Sequence, residues 1–147
     1  MSRRLERPQV PGDLRFEVRL RTRWVDEDNQ GVLNNAVYLT LLEEARLAYF
    51  RRLELMDGAS FPFLLAQCNV RFVAPGRGGA DVDVAMSTVE LGRTSFTQAY
   101  RVSDADGTTW LEAEALLVCW DNGERAKTEM APRFRERVAA FEGLGGN

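Results

Sequence analysis

Histidine is absent from the sequence. That zero excludes Ser-His-Asp and Cys-His nucleophilic catalysis, histidine-ligated zinc, and any Asp/His hydratase dyad built within one chain. Cysteine is nearly as scarce: Cys68 and Cys119 are the only two. They are too few for a disulfide framework and make a poor zinc site, and each sits in an apolar run, as a buried reduced thiol does. No run approaches roughly 18 apolar residues, so no membrane-spanning helix is encoded. The N-terminal stretch Met1-Ser2-Arg3-Arg4-Leu5-Glu6-Arg7-Pro8 lacks a signal peptide's apolar segment. We therefore expect a cytoplasmic protein without metal or cofactor. Lysine occurs once, at Lys127, and a net charge of −3 over 147 residues gives no reason to expect nucleic acid or an anionic membrane as partner.

What remains for chemistry is carboxylates, hydroxyls, arginines and backbone dipoles. Residues 1–13 read as a mobile tail, and 14–143 as one domain. Phe16 to Arg21 alternates apolar and charged residues, the pattern of a half-buried strand. A polar loop, Val25 to Gly31, follows. From Asn35 to Leu53 there is no Pro or Gly, and Leu, Ala, Glu and Arg dominate, which predicts a helix of about five turns capped by Asn34 or Asn35. Its apolar arc takes in Tyr38, Leu39, Leu42, Tyr49, Phe50 and Leu53. Such breadth suits a helix wrapped by a sheet.

Downstream, Leu64–Val73, Asp81–Leu91, Ser95–Val102 and Thr109–Trp120 all read as strands. The second changes phase near Val89, as a bulge would require. Asp104-Ala105-Asp106-Gly107 is a hairpin turn, and the last strand, the most apolar, is expected to be central. Pro132 opens a closing helix with Phe134, Val138 and Phe141 on one stripe. Strand, long helix, four strands and short helix, with no βαβ alternation, make an α+β domain on an antiparallel sheet.

That order and the segment Arg23-Trp24-Val25-Asp26-Glu27-Asp28-Asn29-Gln30-Gly31-Val32-Leu33-Asn34-Asn35-Ala36-Val37-Tyr38 resemble the hotdog-fold thioesterases of the 4-hydroxybenzoyl-CoA thioesterase type. The likeness continues through Leu42-Glu43-Glu44-Ala45-Arg46, Arg71-Phe72-Val73-Ala74-Pro75, Gly92-Arg93-Thr94-Ser95-Phe96 and Pro132-Arg133-Phe134, nearly the whole chain beyond the tail. The loop and helix start together are the specific part. Val32 stands where many relatives carry histidine. The resemblance implies a five-stranded antiparallel sheet around a long central helix. It also implies a homodimer or homotetramer with sites at the subunit boundary.

Carried over residue by residue, the resemblance makes Asp28 the catalytic acid, as nucleophile or general base, and the Asn35 backbone N–H the carbonyl-polarising donor. Gly31 lets the loop turn between them. The chemistry is coherent: a carboxylate is ionised at neutral pH, and a helix N-terminus offers unsatisfied N–H groups to a developing oxyanion. Asp26 is out of register with the family's spacing and reads as structural, paired with Arg23 or another arginine. Glu43 and Arg46, three apart on the apolar arc, read as a buried ion pair, with Glu43 the reserve acid. Tyr38, Arg93, Thr94 and Ser95 are implied substrate contacts. Arg77, Arg125 and Lys127 are further phosphate candidates, and Trp24, Phe61 and Phe63 further apolar lining.

The reading is hydrolysis of an acyl-CoA, or of acyl groups on a carrier protein. A hotdog domain that binds acyl-CoA or CoA without cleaving it would share these features, and a thiol-release assay separates the two. A hydratase lacks its usual histidine here.

Overall fold

Alternation along Phe16–Arg21 produces strand β1, with Phe16, Val18 and Leu20 against the core and Arg19 and Arg21 paired outside with Asp83 and Asp81. The computed structural model describes residues 3–145. After a short 3₁₀ turn at Trp24–Asp26, helix α1 runs Asn35–Arg52, started by Asn34, whose side-chain oxygen accepts the Ala36 N–H. Four long strands follow: β2 Phe63–Phe72, β3 Asp81–Leu91, β4 Ser95–Asp104 and β5 Thr109–Asp121. A two-residue strand, β6 (Ala126–Lys127), pairs with the end of β5 beyond the five long strands expected. Helix α2, Pro132–Glu142, closes the chain with Pro in its first turn and ends on Gly143 in the left-handed conformation, where glycine carries no Cβ penalty.

The long strands pair antiparallel in the order β1-β3-β4-β5-β2. The most apolar strand, β5, is flanked on both sides, but β4 holds the middle of the sheet. The expected bulge is present, as a register shift between Thr88 and Glu90. The expected turn is closed by Asp104, whose Oδ1 accepts the N–H groups of Asp106 and Thr108.

Along β4, Phe96, Gln98, Tyr100 and Val102 are buried, and on α1 so are Tyr38, Leu41, Leu42, Ala45, Tyr49 and Phe50. The helix thus fills the concave face, packing Phe50 on Phe63, Phe96 and Phe134. Leu39, placed on the apolar arc from sequence, is instead 44 % exposed. It lies on the helix side left uncovered. Cys68 is half-buried and Cys119 buried, both unbridged; burial raises both thiols above their ordinary pKa.

Residues 6–12, within the stretch read from sequence as a mobile tail, cross the outer face of the sheet. Asn69 donates to the Glu6 carbonyl, Gln9 N–H to Glu114, and Arg101 to the carbonyls of Pro11 and Gly12. These residues have no strand or helix period, so nothing local in the sequence encodes that course.

Candidate active site

The loop leading into α1 is a miniature hairpin. Glu27 bridges Leu33, Asp28 N–H donates to the Val32 carbonyl at 2.8 Å, and Gly31 N–H returns to the Asp28 carbonyl at 3.1 Å. Gly31 takes φ +75°, a conformation strained for any side chain, which is why glycine stands there. Asp28 sits at the start of the turn, half-buried, with Oδ1 accepting the Gln30 N–H at 2.7 Å. This is the geometry of a turn-capping aspartate. It holds one carboxylate oxygen in place and leaves Oδ2 without a hydrogen bond among the described residues.

The base of the hairpin is pinned in several ways. Asn34 N–H donates to the Asp26 carbonyl at 2.8 Å, and Gly78 N–H to the Glu27 carboxylate at 2.9 Å. Asp26 is buried and accepts three bonds from Arg23, from its backbone N–H and from two guanidinium nitrogens. That guanidinium holds the Asp26 carboxyl below its ordinary value despite burial. Asp26 is therefore the structural partner of Arg23 that its sequence position suggested.

Asn35 N–H, the first of the helix, has no acceptor among the described residues. Asn35 lines a cleft of about 290 Å³ together with Val32, Tyr38, Phe72 and Pro75. Tyr38 is buried, packs edge-on against Phe72, and accepts the Gly76 N–H at 3.1 Å. Burial raises its phenol pKa. Gly76 is a site residue that sequence reasoning passed over. A Cβ there would stand 2.6 Å from both Trp110 and the Tyr38 hydroxyl, and its carbonyl accepts the Leu33 N–H at 3.0 Å. The Ala74-Pro75-Gly76 break was its only local signal.

Asp28, Gly31, Asn35 and Tyr38 thus gather at one end of the sheet. Arg93, Thr94 and Ser95 do not join them. They form the β3–β4 turn at the opposite end, where the Thr94 carbonyl accepts Cys119 N–H and the Ser95 carbonyl accepts Gly92 N–H. Strands of about ten residues rising ~3.3 Å each put ~30 Å between the two groups within one chain. Arg93 pairs with Glu129, both mostly exposed. Arg77 is committed to Asp104 and to the face of Trp110, and Arg125 lies over Trp120. Trp24, assigned to an apolar lining, is 82 % exposed. Phe61 and Phe63 line a pocket of about 430 Å³ at the Arg93 end of β2, together with Glu43, Glu44 and Leu47 of α1.

The Glu43–Arg46 pair is not formed. Glu43 is exposed, whereas Arg46 is buried, donates to the Tyr100 hydroxyl at 3.1 Å and lies over its ring. From there a chain of hydrogen bonds crosses the core through Gln98, Thr88 and Tyr49 to the Glu142 carboxylate. Burial pushes the Tyr100 phenol up to about 12, so it stays a neutral link.

An antiparallel sheet wrapped on one helix, with a carboxylate loop leading into that helix's N-terminus, defines the hotdog class. A family model described as the thioesterase-like superfamily matches residues 21–138. A thioesterase of Thermus thermophilus, solved with coenzyme A and Zn, is 31 % identical with a TM-score of 0.79, covering 90 % of this chain and 98 % of that one. The acyl-CoA thioester hydrolase YbgC of Escherichia coli O6:H1 is 27 % identical over 110 residues, 72 % of this chain and 82 % of its own length. Slr0204, a 1,4-dihydroxy-2-naphthoyl-CoA thioesterase from Synechocystis, shares the fold at 19 % identity with a TM-score of 0.75, covering 84 % of this chain and 95 % of that one. The chain belongs to the thioesterase-like superfamily, and its enzyme class is thioester hydrolase.

Proposed function

We propose that the protein hydrolyses an acyl-CoA at a site shared between two copies of the chain. The observation that carries this reading is the Asp28 hairpin set directly before a helix whose first N–H is unsatisfied. Asp28 either attacks the thioester carbonyl, expelling the thiolate and leaving a mixed anhydride that water then cleaves to the free acid, or activates a water for direct attack; the Asn35 N–H, with the helix dipole behind it, stabilises the oxyanion. Proton delivery to the departing thiolate is undemanding, because a thiolate is already a weak base.

The second copy supplies what one chain separates. Strand β2 is a sheet edge with Leu64, Leu65 and Phe72 about half exposed, an open template for another strand. Antiparallel pairing of two β2 edges sets the Phe72 end of one copy beside the Phe63 end of the other. The Asp28 cleft then borders the partner's pocket around Phe61 and Phe63, which would take the acyl chain. It also brings the partner's Arg93, Thr94 and Ser95 toward the same end, where they would meet the CoA phosphates. Glu43, in that pocket wall, is the reserve acid.

A thiol-release panel over short, long and aromatic acyl-CoAs, run with Asp28→Asn in parallel, tests the reading. Release by the wild type and its loss in the variant are expected. Binding of CoA without release from any thioester would replace hydrolysis with acyl-CoA binding.

A further inference from the structure

Arg46 is a buried cation with most of its hydrogen-bonding capacity unused. It is 5 % exposed, yet among the described residues its one hydrogen bond runs to the Tyr100 hydroxyl. A guanidinium has five N–H donors, and an enclosed one without a carboxylate is costly to keep charged. Trp120 Nε1 is the only fully enclosed side-chain polar atom without a partner among the described residues. The other Arg46 nitrogens therefore keep a trace of exposed surface. Cys68 of β2 packs against the core on the helix side of the sheet, close enough for the Arg46 charge to act on its thiol. Strand β2 is the unpaired edge of the sheet.

One helical turn before it, Glu43 is exposed and makes no hydrogen bond or ion pair among the described residues. A cation lacking an acid and an acid lacking a cation thus share one edge of α1. They do not meet within the chain, because Arg46 turns into the buried face toward Tyr100 while Glu43 faces solvent.

We infer that the missing partner is a second copy of the chain: Arg46 of each subunit binds Glu43 of the other in a reciprocal ion pair across a two-fold axis. A two-fold interface is self-complementary, so a contact from residue 46 to residue 43 is repeated from 43 to 46. Antiparallel β2 edges carry antiparallel α1 helices, and an axis passing between residues 44 and 45 registers the two positions. Residues 43 and 46 are equidistant from that axis, so Glu43 of one copy stands level with Arg46 of the other, with no offset along the helix. Burial against the partner removes water from both ions, and the guanidinium fork suits a carboxylate. The inference rests on the two-copy reading of the site and adds the charge code that selects its register.

Charge exchange tests it. Glu43→Arg and Arg46→Glu are purified separately, then mixed one to one, and the dimer dissociation constant is measured by analytical ultracentrifugation. Each variant alone places like charges across the axis and is expected to dimerise at least ~10-fold more weakly than wild type. In the mixture both cross-axis pairs become complementary, and heterodimers of near wild-type affinity are expected. An ion pair confined to one chain would gain nothing from mixing, so a mixture as weak as its components overturns the inference. If Arg46→Glu does not fold by circular dichroism, Glu43→Arg decides: ~10-fold weakening supports the pair, and an unchanged dimer overturns it. A wild type that stays monomeric at micromolar concentration removes the shared site as well. A dimeric wild type indifferent to Glu43→Arg removes only the ion pair.

Discussion

The two ends of the sheet are built by different means. At the Asp28 end, the polar groups that support the loop all have partners: Asp26 with Arg23, Asn34 with Asp26 and Ala36, Glu27 with Gly78, Tyr38 with Gly76. At the other end, the Arg93 side chain holds only Glu129, and both side chains are more than two-thirds exposed. The contrast fits the proposed division of labour. Attack on a carbonyl needs atoms fixed to within a fraction of an ångström, whereas gripping phosphate needs a charge with reach. Rigid hydrogen bonding belongs at the first and an adaptable arginine at the second.

The largest effect is expected at Asp28. Asp28→Asn keeps an oxygen to cap Gln30 and so preserves the turn, while removing the nucleophile or base. The turnover number should fall ~10²–10⁴-fold with little change in melting temperature. A variant that loses stability instead would make Asp28 a turn residue first.

Gly76→Ala strikes the same end through packing. Its Cβ would lie 2.6 Å from Trp110 and from the Tyr38 hydroxyl, two enclosed groups with little room to move. Overpacking of this kind costs about 1–3 kcal/mol, to be read as a lower urea midpoint. Activity should fall with it, because Tyr38 lines the cleft beside Asn35. At the opposite end, Arg93→Ala should leave stability unchanged and raise KM about 3–10-fold with a nearly constant turnover number, the mark of uniform binding. A large loss of turnover with Arg93→Ala would contradict the proposed division of the ends.

Local pattern carried much of the fold. The Gly- and Pro-free run from Asn35 marked α1, alternation marked the strands, and the phase change at Val89 marked the bulge. The Asp28 loop stood out only through the family resemblance, whose pattern from Asp28 to Gly31 and the helix start lies within a few residues. What could not be read locally was decided across the sheet. Arg46 chose Tyr100, 54 residues away, over Glu43, three residues away, because the concave face buries one side of the helix and leaves the other to solvent. The need for glycine at position 76 arises from Trp110 and Tyr38, far apart in sequence. The distance between Asp28 and Arg93 follows from the strand order, which alternation does not encode.

Acid titration addresses whether charge or backbone geometry fixes the Asp28 end. The Arg23 guanidinium holds the folded Asp26 carboxyl below its ordinary range, so the folded state favours the ionised form. The stability contributed is fully present above the unfolded carboxylate pKa of about 4 and is lost as pH falls through the lowered folded value. Arg23 is 75 % exposed, so solvent screens the pair and its contribution is small. Asp26→Asn should therefore melt slightly below wild type at neutral pH, by differential scanning calorimetry, and the gap should close as pH is lowered past 4. A gap that persisted to strongly acidic pH would mean that hydrogen bonding to the Arg23 N–H, rather than ionic attraction, anchors the hairpin base. Asp28 would then be held by geometry that no titration near neutrality can disturb.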